Sequence, residues 1–165
     1  MNTGEISGTL GTLLAELVDG ASKDGGYMLN PGDDGLIRSL EKLSAADASA
    51  LTPTGSSIAA HVDHVCYGLS LMNRWSQGEN PFDSADWTAS WSRTHVSEPE
   101  WRQRIADLRA EAARWISAVR TPRQVDEIEL NGMIGSIAHL AYHVGAIRQI
   151  KQATRGPVEG GETRK

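Results

Sequence analysis

The sequence predicts an all-α protein, a four-helix bundle with a long first crossover and one extra short helix. Three observations lead there. Apolar residues recur at helical spacing over four long segments. No segment alternates with period two for long enough to demand a strand. Stretches rich in glycine, proline and aspartate separate the periodic segments, the longest of them covering residues 20–55. A chain of 165 residues, 39% hydrophobic and 22% charged, fits one bundle domain over 1–155 followed by a frayed tail over 156–165.

Leu10, Leu13, Leu14 and Leu17 mark a first helix over about 5–19, stopped by Gly20. Residues 20–35 hold five Gly, three Asp and one Pro, which is loop chemistry. Leu36, Ile37, Leu40 and Leu43 then give a short amphipathic helix, and Pro53 and Gly55 break the chain again. Ser56 or Ser57 caps the second long helix, whose stripe of Ile58, Val62, Val65, Leu69 and Met72 carries it to about residue 77. Residues 78–96 read as an ordered loop, because Phe82, Trp87 and Trp91 need something to pack on. Ser97 and Glu100 form a capping box with Pro99 in the first turn, and Trp101, Ile105, Leu108, Ala112, Trp115 and Val119 follow on one face. The last long helix is predicted to start after Asn131 and reach about Thr154, with Met133, Ile137, Leu140, Val144 and Ile147 as its stripe.

Composition narrows the function classes. A net charge of −5 argues against nucleic acid or an anionic membrane surface as partner. No apolar run approaches the ~20 residues of a membrane helix, and no basic, apolar leader opens the chain, so the expectation is a cytoplasmic protein. The one cysteine, Cys66, excludes an intramolecular disulfide and any thiolate-rich metal site. Five Trp exceed the needs of one bundle core, which predicts an exposed aromatic patch and a homodimer.

The histidines are the distinctive feature. Four of the five form two tight pairs, His61/His64 and His139/His143, and the fifth is His95. A spacing of four puts His139 and His143 on one helix face, as two metal ligands require. A ligand from the other pair would complete three neutral imidazoles with an open position, the arrangement of catalytic rather than structural metal sites; isolated packed histidines are the alternative. Other site types fail. No Glu stands three residues before any His, no His-Glu-x-x-His occurs, and there is no Gly-x-Ser-x-Gly elbow or phosphate-binding glycine loop.

Two stretches resemble the DinB-like family of metal-binding four-helix bundles. SIAAHVDHV, residues 57–65, is similar to the family's second-helix segment, in which a Ser or Thr precedes the metal histidine by seven residues; counting from Ser57 reaches His64. HLAYHVGAIRQI, residues 139–150, resembles the His-x-x-x-His-x-Gly signature through His139, His143 and Gly145. The chain departs from the pattern at Ala146, where Gln is frequent, at Gly55 and Ser56, where a Trp is frequent, and in the additional His61. The resemblance implies a divalent transition metal, zinc or nickel, held by His64, His139 and His143, with His61 as the alternate ligand. It further implies a thiol S-transferase or isomerase that uses a low-molecular-weight thiol and a small-molecule substrate. The rival expectation is a non-catalytic dimeric module that binds metal or ligand in a stress response. No general acid or base is assigned. Asp63 is expected to be a solvated charge. Arg148 is a candidate for an anionic substrate or a surface role. Tyr67 and Tyr142 are packing residues or phenol donors, Asp83, Asp86 and His95 sit in the tryptophan loop, for which a cover over the site mouth is the minority reading, and Cys66 is a buried small hydrophobe.

Overall fold

In a computed structural model, which describes residues 1–158, the chain is all-helical, with six α-helices and no strand among the described residues. They are α1 (Ser7–Asp19), α2 (Gly35–Glu41), α3 (Ala45–Ser49), α4 (Ile58–Ser76), α5 (Glu98–Arg120) and α6 (Glu127–Ile150). Three single 3-10 turns, Phe82–Ser84, Ala89–Trp91 and Gln152–Thr154, punctuate the connections.

Start signals explain most boundaries. The Ser57 hydroxyl accepts the Ala60 N–H at the head of α4. The Glu100 carboxylate accepts both the N–H and the O–H of Ser97 at the head of α5. Helix α3 was not expected, and its signal is the short-range box of Ser44 and Asp47. Helix α6 begins a turn earlier than the predicted start after Asn131. Asp126 accepts the Glu129 N–H at 2.8 Å, and Glu127 and Glu129 favour the positive end of the helix dipole. It also stops earlier, at Ile150, because Gln152–Thr154 tightens into a 3-10 turn.

The predicted stripes form the core. Leu14, Leu17, Ile58, Val62, Val65, Trp101, Leu108, Trp115, Met133, Leu140 and Ile147 are all buried and belong to one hydrophobic cluster. Helix α1 packs on α5 and α6, and α4 packs on α5 and α6 as well. Both core tryptophans satisfy their N–H groups, Trp101 on the Leu43 carbonyl and Trp115 on the Ser136 hydroxyl.

Two buried carboxylates fasten the glycine-rich loop after α1. Glu16 accepts backbone N–H groups from Tyr27, Met28 and Leu29 at 2.7–3.0 Å. Burial alone would raise its pKa, but the three donors hold the carboxyl below its ordinary range. Asp33 accepts from Arg148 at 2.7 Å and from the Gly35 N–H at 2.8 Å. Arg148 is therefore neither a surface group nor a substrate anchor, since its guanidinium is committed to Asp33 inside the fold. A Cβ on Gly156 would lie 1.7 Å from the Asp33 carboxylate, and Pro157 accepts from Asn30 at 2.7 Å. The expected frayed tail thus begins as held chain, and its remainder, 159–165, lies outside the described residues. No helix among the described residues is long and apolar enough to cross a membrane.

Candidate metal centre

Four imidazoles meet where α4 packs on α6. His61 and His64 come from the first turns of α4, and His139 and His143 lie one turn apart on α6. Three ring nitrogens converge. His64 Nε2 is 3.0 Å from His139 Nε2, which is 3.1 Å from His143 Nε2. The ligand atoms of these three residues lie within 4.8 Å of one another. A metal bonded to imidazole nitrogens at ~2.0–2.1 Å in tetrahedral geometry spaces them by about 3.3 Å, so the two contacts that His139 makes are each within a few tenths of an ångström of that spacing. His61, the alternate candidate, stands outside this cluster. Its Nδ1 lies behind His143, 2.9 Å from His143 Nδ1.

Hydrogen bonds around the triad direct its lone pairs. The Ser90 hydroxyl donates to the Trp87 carbonyl at 2.6 Å and so accepts from His64 Nδ1–H at 2.7 Å. With its proton on Nδ1, His64 presents an Nε2 lone pair to the centre. His143 does the same when its Nδ1–H donates to His61. Partners of this kind fix the tautomer and orientation of metal-ligating imidazoles. Among the described residues, His139 Nδ1 has no hydrogen-bond partner.

Burial keeps the cluster neutral. His143 is pushed down to about 3 and His64 to about 4, by burial first and then by the neighbouring imidazoles. Burial also lowers His61 and His139. At neutral pH all four rings offer lone pairs rather than charge.

The tryptophan loop forms the wall. Trp91 stacks on His64 with ring centroids 4.3 Å apart and meets His61 edge-on at 5.0 Å. Trp87 lies 5.6 Å from His64. From the sequence, a cover over the site was only the minority reading of this loop, and Ser90 and Trp91 were not identified as contacts; the available signal is Trp87 and Trp91 at one-turn spacing around a Ser. The expected exposed patch of tryptophans does not form. Trp101 and Trp115 are core, Trp75 and Trp91 are half-buried, and Trp87 alone is substantially exposed.

The remaining candidates stand outside the triad. Tyr67 accepts the Asp86 N–H through its hydroxyl at 2.9 Å, and Asp86 caps the Ala89–Trp91 turn through the Ala89 N–H. Both residues hold the loop. Asp83 pairs with Asn80, and His95 is exposed. Tyr142 packs edge-on to His143 at 5.0 Å while staying largely exposed. Asp63 is a half-buried ion-pair member rather than a solvated charge, 3.1 Å from Arg104 and 3.5 Å from Arg93. Burial, helped by Glu111, Asp107 and Asp63, pushes the Cys66 thiol up to about 12, so it offers no thiolate at neutral pH.

A cavity of about 340 Å³ adjoins the triad between α4 and α6. Its lining includes Val65, Leu69, Met72, Phe82 and Trp87, and His139 forms one wall. No family model, curated protein or solved structure matches the chain.

Proposed function

We propose that the protein is a metal-dependent enzyme of the DinB-like, four-helix-bundle type, with zinc or nickel held by His64, His139 and His143. One observation carries the reading: three neutral imidazoles bring their ligand nitrogens within 4.8 Å of one another, and two of the three rings are oriented by Ser90 and His61. The neighbour relations of α1, α4, α5 and α6 support the bundle. The histidine positions within SIAAHVDHV and HLAYHVGAIRQI support the family.

Three protein ligands leave an open position, at which the cation supplies Lewis acidity. The reaction class is transfer or thiol-assisted isomerisation with a low-molecular-weight thiol. In the transfer, the thiol sulfur forms a bond to an electrophilic carbon, the bond to the leaving group breaks, and the thiol proton departs with that group or to solvent. The raised Cys66 pKa supports an external thiol, because burial holds the chain's own thiol protonated. A cavity beside the triad favours this reading over the non-catalytic module, whose site would be closed by side chains.

Exposed Ile134 and Tyr142 on α6 support a homodimer through that face; light scattering is expected to give twice the chain mass, and a monomeric mass contradicts it. The function itself is tested by thiol transfer to a reactive aryl halide. Turnover is expected in metal-loaded protein and is lost with chelator. Equal rates with and without chelator contradict the proposal.

A further inference from the structure

The cavity and the unpartnered nitrogen of His139 belong together. Metal-ligating histidines almost always donate their second N–H to a carboxylate, carbonyl or water. His64 donates to Ser90 and His143 is paired with His61, while His139 Nδ1 has no partner among the described residues. The ring edge carrying that nitrogen faces Gly68. A Cβ built on Gly68 would lie 3.5 Å from His139 Cε1 and 3.8 Å from Nδ1. Gly68 and His139 both line the 340 Å³ cavity, so the free nitrogen borders it.

The cavity is shaped for something apolar. Among the described residues, His139 is the one ionisable side chain that lines it. Glycines inside helices cost about 1 kcal/mol each relative to alanine, yet Gly68, Gly132 and Gly135 all line this space. At Gly132 the reason is direct, since a Cβ there would lie 2.4 Å from the Trp75 ring. Gly132 thereby lets Trp75 close one end against Phe82, with ring centroids 5.5 Å apart. At Gly68 an added Cβ meets only ordinary contacts, so this glycine leaves room beside His139 rather than avoiding a clash. The volume falls in the range of small-ligand pockets.

We propose that this cavity binds the uncharged aryl or branched-alkyl part of the substrate, and that a carbonyl oxygen on that part accepts the His139 Nδ1–H. The proposal rests on His139 being a metal ligand through Nε2, which places the proton on Nδ1. It assigns the substrate an apolar body with a neutral acceptor near its reacting end. The ligand would thus complete the hydrogen bonding of the one triad member that the fold leaves open.

The test is a titration with acetophenone, ethylbenzene and acetone, following the His139 ring proton signals by NMR in protein with and without zinc. Acetophenone is expected to shift the His139 signals saturably. Ethylbenzene, lacking the acceptor, and acetone, lacking the ring, are each expected to bind at least about tenfold more weakly. Gly68→Leu, which fills the cavity with a better helix former, is expected to weaken acetophenone at least about tenfold while zinc stoichiometry is kept. Gly68→Ala, which leaves most of the space, is expected to bind nearly as the parent does. Zinc-loaded protein in which ethylbenzene matches acetophenone, or in which Gly68→Leu binds undiminished, overturns the inference. Protein that takes up no zinc but shows these differences contradicts the metal reading and leaves the apolar cavity standing.

Discussion

Ser90 and His61 touch no substrate in this account, yet each sets the direction of a ligand lone pair. Outer partners of metal histidines typically contribute 10–100-fold to metal affinity. Ser90→Ala and His61→Phe are therefore each expected to weaken zinc binding by about that factor, measured by competition with a chromophoric chelator, while one ion per chain still binds at saturation. Unchanged affinity in both variants contradicts the assigned roles. Trp91 supplies a readout independent of activity, since its indole stacks on His64; zinc is expected to change tryptophan emission, and the change should disappear in Trp91→Phe. The neutral cluster also predicts a pH dependence for metal-free protein. In the unfolded chain the histidines take protons near the ordinary 6.5, whereas in the fold His64 and His143 hold out until about 4 and 3. Between those limits the unfolded state binds more protons, so stability must fall as the pH drops. The urea midpoint is expected to be lower at pH 5 than at pH 7.5, and an equal or higher midpoint contradicts the neutral cluster.

At the scale of elements, α4 and α5 were legible because each declares itself twice, by an apolar stripe and by a cap, whereas α1 shows its stripe without a side-chain cap. Ser57 opens α4 and the Ser97–Glu100 box opens α5 as their sequences suggest. The start of α6 was displaced because Asn131 and Gly132 interrupt the pattern, while the operative cap, Asp126, sits before an exposed first turn with no stripe to mark it. Helix α3 has too few residues for periodicity to register, and its Ser44–Asp47 box is the only local signal. The histidine pairs were legible through spacing alone. The choice between His61 and His64 depends on how α4 is rotated against α6, which a single helix does not encode. Arg148 was misjudged for a related reason. Its partner Asp33 lies 115 positions away in a loop, and only the tertiary fold brings them together. Removing one member of a buried pair strands the other charge, at about 3–5 kcal/mol. With Asp33 2% and Arg148 17% exposed, Arg148→Met is expected to cost about 3 kcal/mol, measured by denaturant unfolding. A loss below about 1 kcal/mol would be a surface-pair value and would contradict the pinning of the 20–35 loop by this pair.

For the whole molecule, the centre joins elements that are far apart in the sequence. Helix α4 supplies His61 and His64, α6 supplies His139 and His143, and the loop between α4 and α5 supplies Ser90, Trp87 and Trp91. An ion bound there ties these parts together only in the folded state, so binding must stabilise the fold. At a free zinc concentration one hundred times Kd the gain is about 2.7 kcal/mol, or about 5–10 °C in Tm for a chain of this size. The centre also makes a strict claim about composition, since its three proposed ligands are His64, His139 and His143 and Cys66 takes no part. The most direct test is elemental analysis of untagged protein alongside His143→Ala. The account predicts one zinc or nickel ion per chain in the parent protein and its loss from the variant. A parent protein without stoichiometric metal at neutral pH, or a variant that keeps a full equivalent, contradicts it.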